Sequence, residues 1–173
     1  MLELYLLRHG KAEWSSQDGS DKNRRISKTG ILHNHAVGSF ISEHQIKIDK
    51  LLCSSAKRTQ QTKDIIINYF KYKPEIEILD SIYKNKASTL VNIIKTQQSD
   101  NSKLLIIGHQ PSLSEVIELL SIDKNNQFFK QATWSFGTSS LFKFSFNEKN
   151  WQNIDMYNSN IEFFINANEL NIF

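Results

Sequence analysis

Short apolar runs alternate with segments of helical periodicity, and no other feature of the chain constrains its fold as much. Residues 2–8 (LELYLLR), 50–54 (KLLCS), 75–79 (EIEIL) and 103–107 (KLLII) read as strands. A helix is expected from Ser27 to about His44, with Ile31, Leu32, Ala36, Phe40 and Ile41 at helical spacing. A second is expected from Ser55 to about Phe70, with Thr62, Ile65, Ile66, Tyr69 and Phe70 on one face. A third covers 87–97 around Leu90, Ile93 and Ile94, and a fourth runs from Pro111 to about Leu120 on Leu113, Val116, Ile117 and Leu120. Strands alternating with helices predict one α/β domain over residues 1–173, with a mainly parallel sheet flanked by helices on both faces. Beyond a stretch with no assigned element come Thr138–Phe146, Trp151–Met156 and Ile161–Ile165. The first two read as a hairpin turning through Asn147-Glu148-Lys149-Asn150.

Composition narrows the function classes. Apolar residues at 39% and charged residues at 23% are ordinary for a soluble globular protein. With 21 basic and 18 acidic residues, the net charge of +3 is too small to argue for a nucleic-acid partner. One cysteine, Cys53, excludes an internal disulfide and a cysteine-rich metal site, and reads as a small buried hydrophobe. No apolar run approaches the ~18 residues of a membrane span. Met1-Leu2-Glu3-Leu4 places no basic residues before its apolar stretch, so no signal peptide is read there and a cytoplasmic protein is expected. Only 6 glycines and 2 prolines occur, and no linker or repeat divides the chain.

In open α/β sheets, ligands bind beyond the carboxyl ends of the strands. After the first strand comes Arg8-His9-Gly10, after the second Ser54-Ser55 with Arg58 in the first helical turn, and after the fourth Gly108-His109-Gln110-Pro111. A histidine after one strand is ordinarily structural, and an arginine in a first helical turn is ordinarily a solvated charge. Two of each converging on one sheet edge point instead to phosphoryl transfer. A neutral imidazole is a competent nucleophile near neutral pH. A guanidinium fork matches two phosphoryl oxygens at once. Glycine after His9 lets the backbone approach a ligand, and helix N-termini near 55–58 and 111–112 add oriented N–H groups. Ser54 or Ser55 is a candidate cap for the second helix, and Pro111 suits the first position of the fourth. A Ser112…Glu115 capping box is the alternative start there.

These segments resemble the histidine phosphatase superfamily, and within it the small SixA-type phosphohistidine phosphatases. Residues 5–14, YLLRHGKAEW, resemble the superfamily's Arg-His-Gly signature. Asp21-Lys22-Asn23-Arg24 with Ile26 and Gly30 is similar to the Asp-x-x-Arg-Pro-Leu…Gly segment of that branch, with Arg25 in place of proline. Residues 53–62, CSSAKRTQQT, resemble its Ser-Pro-x-x-Arg-Ala-x-Gln-Thr segment, with Ser55 in place of proline and Thr59 in place of alanine. Residues 107–111, IGHQP, resemble its Gly-His-x-Pro turn, and Gly137–Ser140 and Phe163–Ile165 its closing strands. The resemblance implies His9 as phosphoryl-accepting nucleophile, Arg8 and Arg58 as ligands of the phosphoryl oxygens, and His109 as a second histidine on the phosphoryl group. Arg24 is implied as a further phosphate contact. No metal and no cofactor are implied.

Larger superfamily members place a carboxylic acid after the third strand to protonate the leaving oxygen. Here Asp80 is the nearest carboxyl; it is equally a turn residue, and Glu13 and Asp21 on the first loop are the other candidates. An alkoxide leaving group needs a proton more than the imidazole of phosphohistidine does, so a short chain without a clear acid leans toward an N–P substrate. The expected activity is a metal-independent phosphatase acting on phosphohistidine in proteins. The alternatives are a phosphatase of small phosphomonoesters and a non-catalytic module that binds a phosphoprotein. The partner is then a phosphorylated protein or small molecule, not a nucleic acid or a membrane. His33 and His35 stand two apart and point to different helix faces, so they make a poor metal pair. Trp14 and Trp134 read as pocket rim or as packing. Lys22, Arg24 and Arg25 read as a solvated loop or as a docking surface for an acidic phosphoprotein.

Overall fold

A computed structural model describes residues 1–170. Six strands form one sheet: β1 (Leu2–Arg8), β2 (Lys50–Ser54), β3 (Glu75–Leu79), β4 (Lys103–Gly108), β5 (Leu141–Phe146) and β6 (Ser159–Ile165), in the order β3-β2-β4-β1-β5-β6. The pairs β2–β3, β2–β4 and β1–β4 are parallel, and β1–β5 and β5–β6 are antiparallel. Among the described residues, five α-helices accompany the sheet: α1 (Lys28–Glu43), α2 (Lys57–Ile66), α3 (Ala87–Lys95), α4 (Ser112–Leu120) and α5 (Gln127–Trp134). The expected single α/β domain with a mainly parallel sheet is the observed one.

Side chains alternate across the pleat, so each central strand feeds two cores. Leu4, Leu6, Leu104 and Ile106 pack under α3, α4 and α5. Tyr5, Leu7, Leu105 and Ile107 pack on the other face with Val37, Ile41 and Ile66 of α1 and α2. Helices therefore cover both faces, and the middles of the central strands, residues 4–7 of β1 and 104–107 of β4, are buried and almost wholly apolar, as burial on both sides requires.

Three local expectations need correction. The hairpin partner of β5 is β6, with Leu141 opposite Ile165 and Phe146 opposite Ser159. The segment expected to pair, Trp151–Met156, instead opens with a 3-10 turn over Trp151–Asn153. Its apolar residues close the core from below: Trp151 and Ile154 are fully buried, and the indole N–H of Trp151 donates to Asn101 O at 2.7 Å. Helix α5 has no counterpart in the sequence reading; Asn126 caps it, accepting from the Phe128 and Phe129 amides, and Phe129 and Ala132 are buried.

The third correction concerns the buried face of α1. Ile31 and Leu32 are exposed, while Gly30, Asn34, Val37, Gly38 and Ile41 face inward. Small residues let backbones approach closely there. A Cβ on Gly30 would stand 2.3 Å from Lys11 O, and one on Gly38 would stand 2.2 Å from the Tyr69 ring. Apolar periodicity does not register a contact made by glycines. Helices α1, α2 and α4 also start one or two residues later than expected, while α3 starts at Ala87 as expected. Ser27 caps α1, but α2 follows Ala56 with no side-chain cap, and α4 follows Pro111 rather than starting with it.

Candidate active site

Parallel pairing of β1 and β4 places Arg8 opposite Gly108, so His9 and His109 emerge side by side at the carboxyl edge. The His9 amide donates to Gly108 O at 3.2 Å, and the two imidazole centroids are 5.1 Å apart. Arg58, on the second residue of α2, reaches in from β2's side; its Nε donates to His9 Nε2 at 3.3 Å and its Nη2 lies 3.5 Å from His109 Nδ1. These groups line an open cleft of about 310 Å³ together with Arg8, Arg24 and Thr138. The expected residues Arg8, His9, Arg24, Arg58 and His109 thus meet at one place.

Hydrogen bonds assign the tautomers. His9 Nδ1 lies 2.8 Å from Gly10 O, and a carbonyl only accepts, so Nδ1 carries the proton and Nε2 the lone pair. His109 Nε2 lies 2.7 Å from Ser54 Oγ, while Nδ1 faces a guanidinium that only donates; Nε2 therefore holds its proton. Burial, opposed by the bond to Gly10 O and reinforced by His109 and the arginines, pushes His9 down to about 3, so its ring is neutral at physiological pH. Burial, then Arg58, pushes His109 down to about 4.

A buried polar layer supports the nucleophile from below. Thr62 Oγ1 accepts from the Gly10 amide at 2.9 Å and from Asn34 Nδ2 at 3.2 Å, and itself donates to Arg58 O at 2.8 Å. Ser139 Oγ donates to Asn34 Oδ1 at 2.8 Å, and the Ser139 amide is shared by the carbonyls of Arg8 and His9. A Cβ on Gly10 would stand 2.5 Å from Asn34 Nδ2, so only glycine fits against this layer. The sequence reading missed Asn34, Ser139 and Ser54 as site residues. A polar residue midway between Gly30 and Gly38 was the available sign for Asn34. Its neighbours His33 and His35 lie outside the layer, His35 bonded to the Tyr69 hydroxyl group at 2.8 Å. Among the described residues, no group of three or more His, Cys, Asp or Glu side chains is placed to hold a metal ion.

Arg8 Nη1 donates to Phe136 O at 2.7 Å, and its buried Nε meets no acceptor among the described residues. Asp80 is not part of the cleft lining. It is exposed, bonded to Lys22 Nζ and Ser55 Oγ, and those bonds hold its carboxyl below the usual range. Asp21 is central instead, accepting from both Arg24 and Arg58. Trp14 and Trp134 stand 97% and 92% exposed. Trp14 follows Glu13, whose carbonyl binds Arg24 Nε at 2.7 Å; Trp134 ends α5, two residues before the carbonyl that binds Arg8. Cys53 is buried, and burial pushes its thiol up to about 12. A larger hollow of about 700 Å³, beside Ile41, Ile46 and Phe70, is lined by no histidine or arginine among the described residues. No helix among the described residues is long and apolar enough to cross a membrane.

The fold and the cleft define an α/β protein whose carboxyl-edge site converges guanidinium donors on a neutral imidazole. The model of the histidine phosphatase superfamily (branch 1) matches residues 4–82 of this chain. An uncharacterised protein of Mycobacterium leprae is 22% identical over 154 residues, covering 87% of this chain and 92% of the other. The structure assigned to phosphohistidine phosphatase SixA of Nakamurella multipartitia superposes with a TM-score of 0.82 at 19% identity, over 95% of each chain. The protein histidine phosphatase SixA, solved with tungstate, gives 0.76 at 15% identity over 96% of this chain and 97% of that one. At such identities the structural likeness is one of fold.

Proposed function

We propose that the protein is a phosphatase that works through a phosphohistidine intermediate on His9, with phosphohistidine in a protein as its substrate. The observation that carries this reading is the His9 Nε2 lone pair. Nδ1–H is tied to Gly10 O, which turns Nε2 toward Arg58 and into the cleft. Nε2 attacks phosphorus, forming an N–P bond as the substrate's N–P bond breaks. The departing imidazole leaves with the electron pair and takes a proton from solvent. Water then adds to phosphorus, His9 departs with the bonding pair, a proton passes to solvent and inorganic phosphate is released. Arg8 and Arg58 neutralise the equatorial oxygens in both steps, and the His109 ring contacts the same group.

Two features support an N–P bond in the substrate. Among the described residues the cleft lining itself includes no carboxyl group, and in the groove that adjoins it the Asp21 carboxylate is occupied by Arg24, Arg58 and Tyr83, so it is not a protonated acid ready for an alkoxide. The cleft is also open, and it runs past Arg58 and His109 into a second groove of about 450 Å³ beside Tyr83 and Pro111, leaving space for a side chain presented by a protein. Brief incubation with 32P-labelled phosphohistidine protein, quenching in alkali and peptide mapping tests the reading. The label is expected on His9 and absent in His9→Ala. Label on another residue, or turnover by the alanine variant near that of wild type, refutes the assignment. Phosphohistidine protein hydrolysed no faster than sugar phosphates would move the function to small phosphomonoesters.

A further inference from the structure

Arg58 divides its guanidinium between two tasks. Its inner edge faces the histidines, whereas its outer edge is held by a single residue: Nη1 donates to Asp21 O at 2.7 Å and Nη2 to Asp21 Oδ2 at 3.1 Å. The other carboxylate oxygen, Oδ1, accepts from Arg24 Nη1 at 2.9 Å. Tyr83 OH donates to Oδ2 at 2.9 Å, and the Tyr83 ring meets His109 edge-on with centroids 5.6 Å apart. Asp21 therefore ties the arginine of α2, the arginine of the first loop and the tyrosine after β3 into one unit.

We propose that Asp21 is a positioning residue that sets Arg58 and Arg24 for the phosphoryl group, braced by Tyr83; the proposal rests on the phosphatase reading above. A long arginine side chain has several rotamers, and a fork binds two oxygens only if its plane is fixed. Backbone and side-chain oxygens of one residue, gripping two different guanidinium nitrogens, fix that plane. The same bonds make Asp21 a poor proton donor. Burial opposes ionisation, but the bonds from Tyr83 and Arg24 and the charge of Arg58 outweigh it and hold the carboxyl far below its usual range. An acid is also unable to accept at both oxygens as the carboxylate does here without losing one of these partners.

A double-mutant cycle over wild type, Asp21→Asn, Arg58→Ala and the double variant tests this on p-nitrophenyl phosphate and phenyl phosphate, with tungstate affinity measured by calorimetry. Asp21→Asn is expected to lower kcat roughly 10- to 100-fold, the scale of a misplaced binding group, and by the same factor on both substrates. In the Arg58→Ala background it is expected to cost less than about threefold, because its action through Arg58 is gone and only the part through Arg24 is left. Tyr83→Phe provides a milder variant with an intact ring, expected to lose about threefold and to show the same non-additivity. A loss that grows with the poorer leaving group makes Asp21 the acid and overturns the proposal. So does an undiminished loss in the Arg58→Ala background, which marks a structural role, and so does no loss at all. Absence of turnover by wild type defeats the phosphatase reading instead. The tungstate cycle still decides the positioning role: coupling of about fivefold or more supports it, and additivity overturns it.

Discussion

At the residue scale, the chemistry rests on a neutral imidazole among guanidinium groups. Arg58→Ala is expected to lower kcat/KM by on the order of 10²-fold or more, about 3 kcal/mol of transition-state charge stabilisation. Arg58→Lys restores only part of it, since an ammonium lacks the fork; steady-state kinetics of the three proteins reads this directly, and equal rates for lysine and arginine would reduce Arg58 to a surface charge. The histidines also give a pH prediction with a definite sign. Both rings titrate in the folded protein below the ordinary 6.5, His9 at about 3 and His109 at about 4. The unfolded chain therefore binds more protons across that interval, and stability is retained above pH ~6.5 and lost progressively as pH falls toward 4 and below. The depressed Asp21 carboxyl acts in the same direction. Urea melts between pH 7 and 4 are expected to show a falling midpoint. The acid limb of kcat/KM, corrected for ionisation of the substrate, is expected well below 6.5; a limb at 6.5 would mean that His9 is not buried as described.

At the element scale, α1 connects the site to the scaffold through its glycines. Gly30 packs on the backbone of Lys11, two residues beyond His9, and Gly38 packs on Tyr69. Gly30→Ala is expected to displace the His9 loop, lowering both the urea midpoint and turnover, with a stability cost of roughly 1–3 kcal/mol for overpacking. Gly38→Ala strains the contact between α1 and the turn after α2, far from the cleft, and is expected to lower the midpoint while sparing kcat. Equal effects of the two on kcat would count against the role given to the Lys11 contact. Helices α3 and α4 were legible from their apolar stripes because each buries leucine, isoleucine or valine against the sheet. The inner face of α1 was not, because glycine and asparagine carry no hydrophobic signal. Trp151 and Ile154 misled for the opposite reason: a turn that plugs a core shows the same residue types as a strand.

At the scale of the whole molecule, two nearly bare tryptophans, Trp14 and Trp134, stand on segments whose carbonyl groups also hold Arg24 and Arg8. For a protein-borne substrate these are natural contacts, since exposed aromatic side chains are enriched in recognition surfaces. Trp14→Ala with Trp134→Ala is expected to leave turnover of p-nitrophenyl phosphate within about twofold, as surface substitutions ordinarily do. The same pair is expected to raise KM for a histidine-phosphorylated protein by about tenfold, the loss of an interface anchor. Parallel assays on the two substrates check it, and equal effects on both would remove the tryptophans from substrate recognition.

The α/β class and the convergence of Arg8, His9, Arg58 and His109 follow from the sequence alone. Strand and helix periods are local properties, and in a parallel sheet every strand's carboxyl end lies on the same edge, so residues just after neighbouring strands meet, whereas Asp80, after the edge strand β3, stays outside the cleft. The pairing of β5 with β6, the glycine face of α1, the Asn34–Thr62–Ser139 layer and the grip of Asp21 on two arginines were decided only by tertiary structure. Each joins polar or small residues far apart in the chain. Their hydrogen bonds and close contacts depend on which backbones approach, and no periodicity in the sequence carries that information.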